Sequence, residues 1–190
     1  MGLLDILLGR SRPAAPDLDR LFALPSAAVP LEAATGLTPT GRGAVCFATV
    51  EGAAFDQTHR EVRALLDADG SPVDLSRDEY GYSWLVSRRD PDRLADLVND
   101  LHAVNSAMEV NGSGPQLLCS LAVFADPDGR RLALVYLYKR GTFYPFAPLP
   151  GAGERRDNPL ELRVRAALDG ELPVERELNR WFPLWGAPGL

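Results

Sequence analysis

The residues best suited to chemistry lie late in the chain. Tyr136-Leu137-Tyr138-Lys139-Arg140-Gly141-Thr142-Phe143-Tyr144-Pro145-Phe146 ends an apolar run in two adjacent cations, permits a bend at glycine and resumes with aromatics. Cations interleaved with aromatic rings on one edge can bind anions, nucleotides or peptides through charge-assisted hydrogen bonds and ring faces. Glu154-Arg155-Arg156-Asp157-Asn158 leads into a helix start, where unpaired backbone N–H groups add to the arginines in an anion site. Lys139, Arg140, Arg155 and Arg156, joined by His102 from a helix, therefore form the candidate ligand-binding set. The plainer alternative is that these cations pair with Asp157, Glu161 and other acids and pin the loop.

Other chemistry has less to work with. There is no phosphate-binding loop of the Walker type, no dinucleotide glycine fingerprint, no G-x-S-x-G and no H-E-x-x-H. The two histidines, His59 and His102, fall on predicted helices away from any cysteine motif, so no metal site and no cofactor is expected. Each of the two cysteines, Cys46 and Cys119, sits inside an apolar run and is expected to be a buried, reduced thiol acting as a small hydrophobe. Asp78, Glu79 and Tyr80 contain the groups for acid–base work, but acids in turns are usually just solvated.

Composition bounds the rest. The chain has 190 residues, enough to bury a core without disulfide or metal staples, and its 46% hydrophobic and 24% charged content is that of a globular domain. A net charge of -6 argues against a nucleic-acid partner, which would need a basic face. No basic segment precedes the apolar start and no small-residue cleavage site follows it, so the cell interior is the expected compartment.

Residues 1–16 read as an amphipathic peptide and linker, and 17–190 as a single α+β domain. In the peptide, Leu3, Leu4, Leu7 and Leu8 share one side of a helical wheel. It is too short to span a bilayer, but it could lie in the interface with Arg10 and Arg12 toward anionic head groups. Packing on the domain itself or on a partner helix is the equal alternative. Asp17 is expected to cap a short helix that Pro25 ends, followed by a strand over 27–34. Further strands are expected over 44–50, 73–75 and 80–88, and helices over 54–68 and from Asp90-Pro91 to Asn111. Asp126-Pro127-Asp128-Gly129 between two apolar runs predicts a hairpin. A short strand follows over 142–146. Asn158-Pro159-Leu160-Glu161 has capping-box spacing. Strands arriving in pairs favour a mostly antiparallel sheet with helices packed on one face. The tail Trp181-Phe182-Pro183-Leu184-Trp185 is too aromatic for a solvated end. It is expected to pack back onto the domain, with Trp181 and Trp185, like the four leucines, as candidate partner or membrane contacts.

At several of these segments the chain resembles a known family. Met1-Gly2-Leu3-Leu4-Asp5, Leu21-Phe22-Ala23-Leu24, Gly36-Leu37-Thr38-Pro39-Thr40-Gly41, Tyr80-Gly81-Tyr82-Ser83-Trp84-Leu85-Val86, Leu101-His102-Ala103-Val104-Asn105 and Gln116-Leu117-Leu118-Cys119 carry part of the likeness. The segment 138–146, Glu154-Arg155-Arg156-Asp157-Asn158 and Trp181-Phe182-Pro183-Leu184-Trp185-Gly186 carry its most distinctive part. Together they resemble the PspA-associated protein PspAB family of actinobacteria and archaea. The resemblance implies an accessory of the phage-shock membrane-stress response. The implied partners are PspA, a membrane-remodelling coiled-coil protein, or an HtpX-type membrane metalloprotease linked by gene neighbourhood. It supplies no catalytic residue. Three functions follow as expectations: a non-enzymatic adaptor, cytoplasmic with peripheral contact at the inner face of the cell membrane; an anion-binding protein or enzyme built on Lys139, Arg140, Arg155 and Arg156; or a chaperone-like dimer, on fold analogy alone.

Overall fold

The computed structural model describes residues 16–48, 73–151 and 153–190, together with Gln57, Arg60, Arg63 and Ala64, all four helical. The helix expected over 54–68 is thus described at four positions. The peptide of residues 1–8 with Leu3, Leu4, Leu7 and Leu8, the cations Arg10 and Arg12, and His59 lie outside the described residues.

Strands β1 (Thr38–Ala48), β2 (Val73–Arg77), β3 (Tyr82–Arg88), β4 (Leu117–Ala125), β5 (Arg131–Leu137) and β6 (Thr142–Phe146) form one six-stranded sheet in the order β2-β3-β1-β4-β5-β6. Every neighbouring pair is antiparallel. Helices α1 (Leu24–Thr35), α2 (Leu94–Val110) and α3 (Asn158–Ala167) pack on one face. This is the α+β architecture the strand pairs predict.

Local chemistry sets the connections. The Asp126 carboxylate accepts the Arg130 backbone N–H at 2.9 Å and the guanidinium Nε at 2.6 Å, while Gly129 takes the positive φ of 85° that closes the β4–β5 turn. In the β2–β3 turn the Asp78 carboxylate accepts the N–H groups of Tyr80 and Tyr82 and the Trp84 indole N–H, at 2.9–3.0 Å. Asp78 is therefore a turn former, with its acceptor capacity used locally.

β1 begins at Thr38, ahead of the strand expected from residue 44, and β3 begins at Tyr82 rather than 80; three helix starts also differ from expectation. Pro25 starts α1 rather than ending a helix, and 27–34 is helical: a 3₁₀ turn over Leu18–Ala23 runs straight into α1. Proline suits a first helical turn, and the buried set Leu24, Ala27, Ala28, Leu31 and Thr35 has helical spacing. Asp17 makes no side-chain cap; its carboxylate takes Arg20 Nε at 3.0 Å and its N–H donates to the Tyr136 hydroxyl. α2 begins at Leu94, because Asp90-Pro91-Asp92-Arg93 closes a turn through Arg93 N–H to Asp90 O at 2.9 Å.

The core has two layers. On the helix side Val45, Phe47, Leu85, Phe124, Leu134 and Tyr136 meet Leu31, Leu97, Leu101, Val104, Met108, Leu160 and Val164. On the opposite side Ala44, Cys46, Trp84, Cys119, Leu121, Val135, Tyr144 and Phe146 meet Trp181 and Ala187, with Leu184, Trp185 and Leu190 packed around them. Because both faces are covered, the central strands β1 and β4 are buried over most of their length, and β4 reads as a near-continuous apolar run rather than an alternation. The tail packs back as expected. At the edge of β1, Gly41 has φ 73° and lies so close to β3 that an added Cβ would sit 1.9 Å from the Arg89 carbonyl oxygen.

Candidate functional site

The segment after α3 forms a strap that starts on the outer edge of β6 and crosses the helix-free face of the sheet. Phe143 N–H donates to Pro173 O at 2.9 Å, and Glu175 N–H donates to Phe143 O at 2.7 Å. These bonds give the β6 edge a partner.

Glu175 is the first anchor of the strap. Its buried carboxylate accepts Arg140 Nε at 2.6 Å, the Thr142 hydroxyl at 3.0 Å and the Glu177 N–H at 3.1 Å, with Arg180 at 3.8 Å. Burial alone would push this carboxyl upward; the bonds from Arg140, Glu177 and Thr142 outweigh it and hold the group below the ordinary glutamate range. Its carbonyl oxygen accepts the Trp181 indole N–H at 3.0 Å.

Aromatic packing extends the strap across the face. Trp181 stacks on Tyr144 with centroids 6.2 Å apart, and Trp185 meets Phe146 edge-on at 5.0 Å. The Tyr144 hydroxyl donates to Phe182 O at 2.9 Å. Burial pushes that phenol above its usual range, so it remains a donor.

Arg156 is the second anchor. Its Nε donates to Glu161 at 2.9 Å, Nη1 to Trp181 O and Nη2 to Pro145 O at 3.4 Å, and the guanidinium lies 5.0 Å from the Phe146 centroid. One side chain thereby ties β6, α3 and the strap together. The expected capping box at Asn158 is replaced by an Asp157 cap, whose carboxylate accepts Leu160 N–H at 3.0 Å. Glu161 is thus released to accept Ala147 N–H at 2.8 Å as well as Arg156. Burial raises the Glu161 carboxyl above its usual value, with Arg156 and the Ala147 N–H opposing.

The nominated anion-site residues are dispersed. Arg140 is held by Glu175 and Arg156 by Glu161, while Lys139 and Arg155 are exposed. His102 stands on α2, on the other side of the sheet from Trp181. Its Nε2 is 3.3 Å from Asp19 and its ring lies 4.7 Å from that of Phe22. An anion gathering Arg140 and Arg156 would have to draw each from a buried carboxylate. Glu79 is exposed, and the Tyr80 hydroxyl donates to Glu154 at 2.8 Å across the molecule. Trp181, nominated as a contact residue, is 6% exposed and belongs to the interior; Trp185 is half-buried. Among the described residues no group of three or more His, Cys, Asp or Glu is placed to hold a metal ion, and no helix is long and apolar enough to cross a membrane.

Sequence reasoning missed two residues that the strap displays. Leu178 is 53% and Phe182 55% exposed, on a backbone fixed by Glu175 and Trp181 on one side and Tyr144 on the other. The aromatic run marked the segment, but which ring turns inward depends on where Tyr144 and Phe146 stand. What this arrangement offers chemically is a held, apolar, solvent-facing knuckle.

No curated protein and no solved structure matches the chain. A family model does, over residues 1–189, and by it the chain belongs to the PspA associated protein B (PspAB) family.

Proposed function

We infer that the protein is a non-enzymatic accessory of the PspA membrane-stress response, associating with PspA through the face of its C-terminal strap. Family membership supports the context. The observation that carries the surface is the pair Leu178 and Phe182, half-exposed on a segment whose backbone and neighbouring side chains are pinned. Large apolar groups presented by an ordered backbone lose little conformational entropy on docking, which is what a binding hot spot requires. The cations that would serve an anionic substrate are instead the staples of this surface. The protein works at the inner face of the cell membrane, where residues 1–8 add a weak interfacial contact.

The test is co-precipitation of the purified full chain with PspA from the same organism, comparing wild type with Leu178→Ser/Phe182→Ser. Both side chains point to solvent, so the double variant should melt with the wild type while losing at least about tenfold in affinity. Failure of the wild type to bind PspA sinks the partner, and equal binding by the double variant sinks the surface. Liposome pelleting with and without residues 1–10 tests the membrane contact separately; equal pelleting of the two removes it.

A further inference from the structure

The chain's only two cysteines are direct partners in the sheet. Cys46 on β1 stands opposite Cys119 on β4, in the row Trp84–Cys46–Cys119–Leu137 that crosses the face under the strap. Neither is in a disulfide, and both belong to the buried layer on the same face of the sheet. Directly opposed residues of antiparallel strands have Cα atoms about 4.5–5.5 Å apart, inside the span of about 4.4–6.8 Å that a disulfide bridges. Closing the bond requires side-chain rotation and little strand movement. The ladder is irregular at this point: Cys46 pairs with Cys119, but Phe47 pairs with Leu117, leaving Leu118 as an extra residue beside the pair. Such a bulge loosens local pairing and is enriched next to functional positions.

We propose that Cys46 and Cys119 are an oxidative modification site, converted by a small hydroperoxide to an internal cross-strand disulfide. The electrons balance in two steps. The Cys119 sulfur attacks the peroxide oxygen; the O–O bond breaks, the leaving hydroxide takes a proton and departs as water, and Cys119 becomes a sulfenic acid. The Cys46 sulfur then attacks the Cys119 sulfur; the S–S bond forms, the S–O bond breaks and a second water leaves. Two thiols are oxidised, and one peroxide is reduced to two waters. Cys119 reacts first because it is the cysteine next to the Leu118 bulge, where the ladder is already irregular. The neighbouring Cys119, burial and the Asp78 carboxylate hold the Cys46 thiol protonated in the closed sheet, so its attack on the sulfenic acid waits on the same local opening that admits the peroxide.

The product must be internal. The two cysteines are 3% and 5% exposed, which shuts out a second protein chain or a bulky thiol, whereas a molecule the size of hydrogen peroxide needs only local opening. No third cysteine competes as resolving thiol. The bond would link β1 and β4, the two central strands, and lock the layer on which the strap rests.

The experiment uses the reduced full chain with hydrogen peroxide, followed by denaturation, alkylation with N-ethylmaleimide and mass spectrometry. The expected result is a monomer lighter by two hydrogens, with no alkylation, a peptide pair joining Cys46 to Cys119, reversal by dithiothreitol, and a higher Tm than the reduced protein. In Cys46→Ser the reaction should stop at a sulfenic acid on Cys119 that dimedone traps. If that variant fails to fold, the mass measurement on the wild type still decides. Two thiols alkylated as fully as in untreated protein overturn the proposal. So does a disulfide formed only between molecules, or over-oxidation of either sulfur without linkage.

Discussion

Arg156→Ala is the sharpest perturbation of the strap. The arginine side chain is 19% exposed and the Glu161 side chain 3%, so the ion pair is largely withdrawn from water. Removing the arginine leaves Glu161 with the Ala147 N–H as its one remaining assigned donor, and also frees Trp181 O and Pro145 O. Deleting one member of a buried pair costs about 3–5 kcal/mol; the residual solvent access of Arg156 favours the lower end, about 3 kcal/mol. For a chain of this size that is a fall in Tm of about 6–12 °C, read by circular dichroism. The pH dependence carries the mechanism. A carboxyl whose folded value is raised binds protons more readily folded than unfolded, so it lowers stability as pH rises from the ordinary glutamate range through its folded value. Without Arg156 that window extends further upward. The deficit of the variant should therefore be small in acid and reach its full size at neutral pH. Glu161→Gln in the same chain keeps an acceptor for Ala147 and removes the charge, and should recover much of the loss. A deficit independent of pH and untouched by Glu161→Gln would show that the arginine acts by packing alone, and the electrostatic reasoning would fail.

Two further outcomes follow from the same contacts. Glu175 is held below the ordinary glutamate range, so its contribution is present above that range and is lost as pH falls through its folded value; tryptophan fluorescence should report loosening of Trp181 there, and Glu175→Gln should abolish that acid step while lowering stability at neutral pH by about 2 kcal/mol. Gly41→Ala would drive a Cβ into the Arg89 carbonyl at a left-handed φ, and should cost about 3 kcal/mol in denaturant unfolding; a cost below about 1 kcal/mol would mean that β1 shifts freely at this edge.

What could be read from the sequence was what local chemistry dictates. The β4–β5 hairpin was legible because the Asp126 carboxylate and Gly129 build the turn within five residues, whatever the rest of the chain does. α1 was not, because Pro25 looks like a break and Pro30 disfavours a helix interior until the burial of Leu24, Ala27, Ala28 and Leu31 on one stripe supplies the tertiary energy that outweighs them. The candidate site divides in the same way. The sequence marks Arg140 and Arg156 as unusual cations, and its plainer reading even named Glu161 as an acid they could meet. It does not show that Arg140 meets a glutamate 35 positions later, because that contact depends on the strap reaching the β6 edge. The opposition of Cys46 and Cys119 is equally long-range, since strand register, not composition, puts the two sulfurs together.

The strap binds these observations into one physical system. The helix-free face of the sheet carries Trp84, Cys46, Cys119, Tyr144 and Phe146, a surface too apolar to leave in water. Covering it requires a segment that is apolar toward the sheet, yet a single extended layer has two sides. Phe182, next to the inward Trp181, faces outward, and Leu178 is exposed at the start of the 3₁₀ turn Leu178–Arg180 that brings Trp181 down onto the sheet. The exposed knuckle is thus a geometric consequence of covering the face, and its rigidity comes from the buried pairs Arg140–Glu175 and Arg156–Glu161 that clamp the ends of the cover. Anything that changes the layer beneath, the thiol pair included, acts on the same backbone that presents Leu178 and Phe182. If the strap is the PspA-binding surface, partner binding and the redox state of Cys46 and Cys119 bear on one element, and bound PspA should slow peroxide-driven loss of alkylatable thiol in the wild type but not in Leu178→Ser/Phe182→Ser.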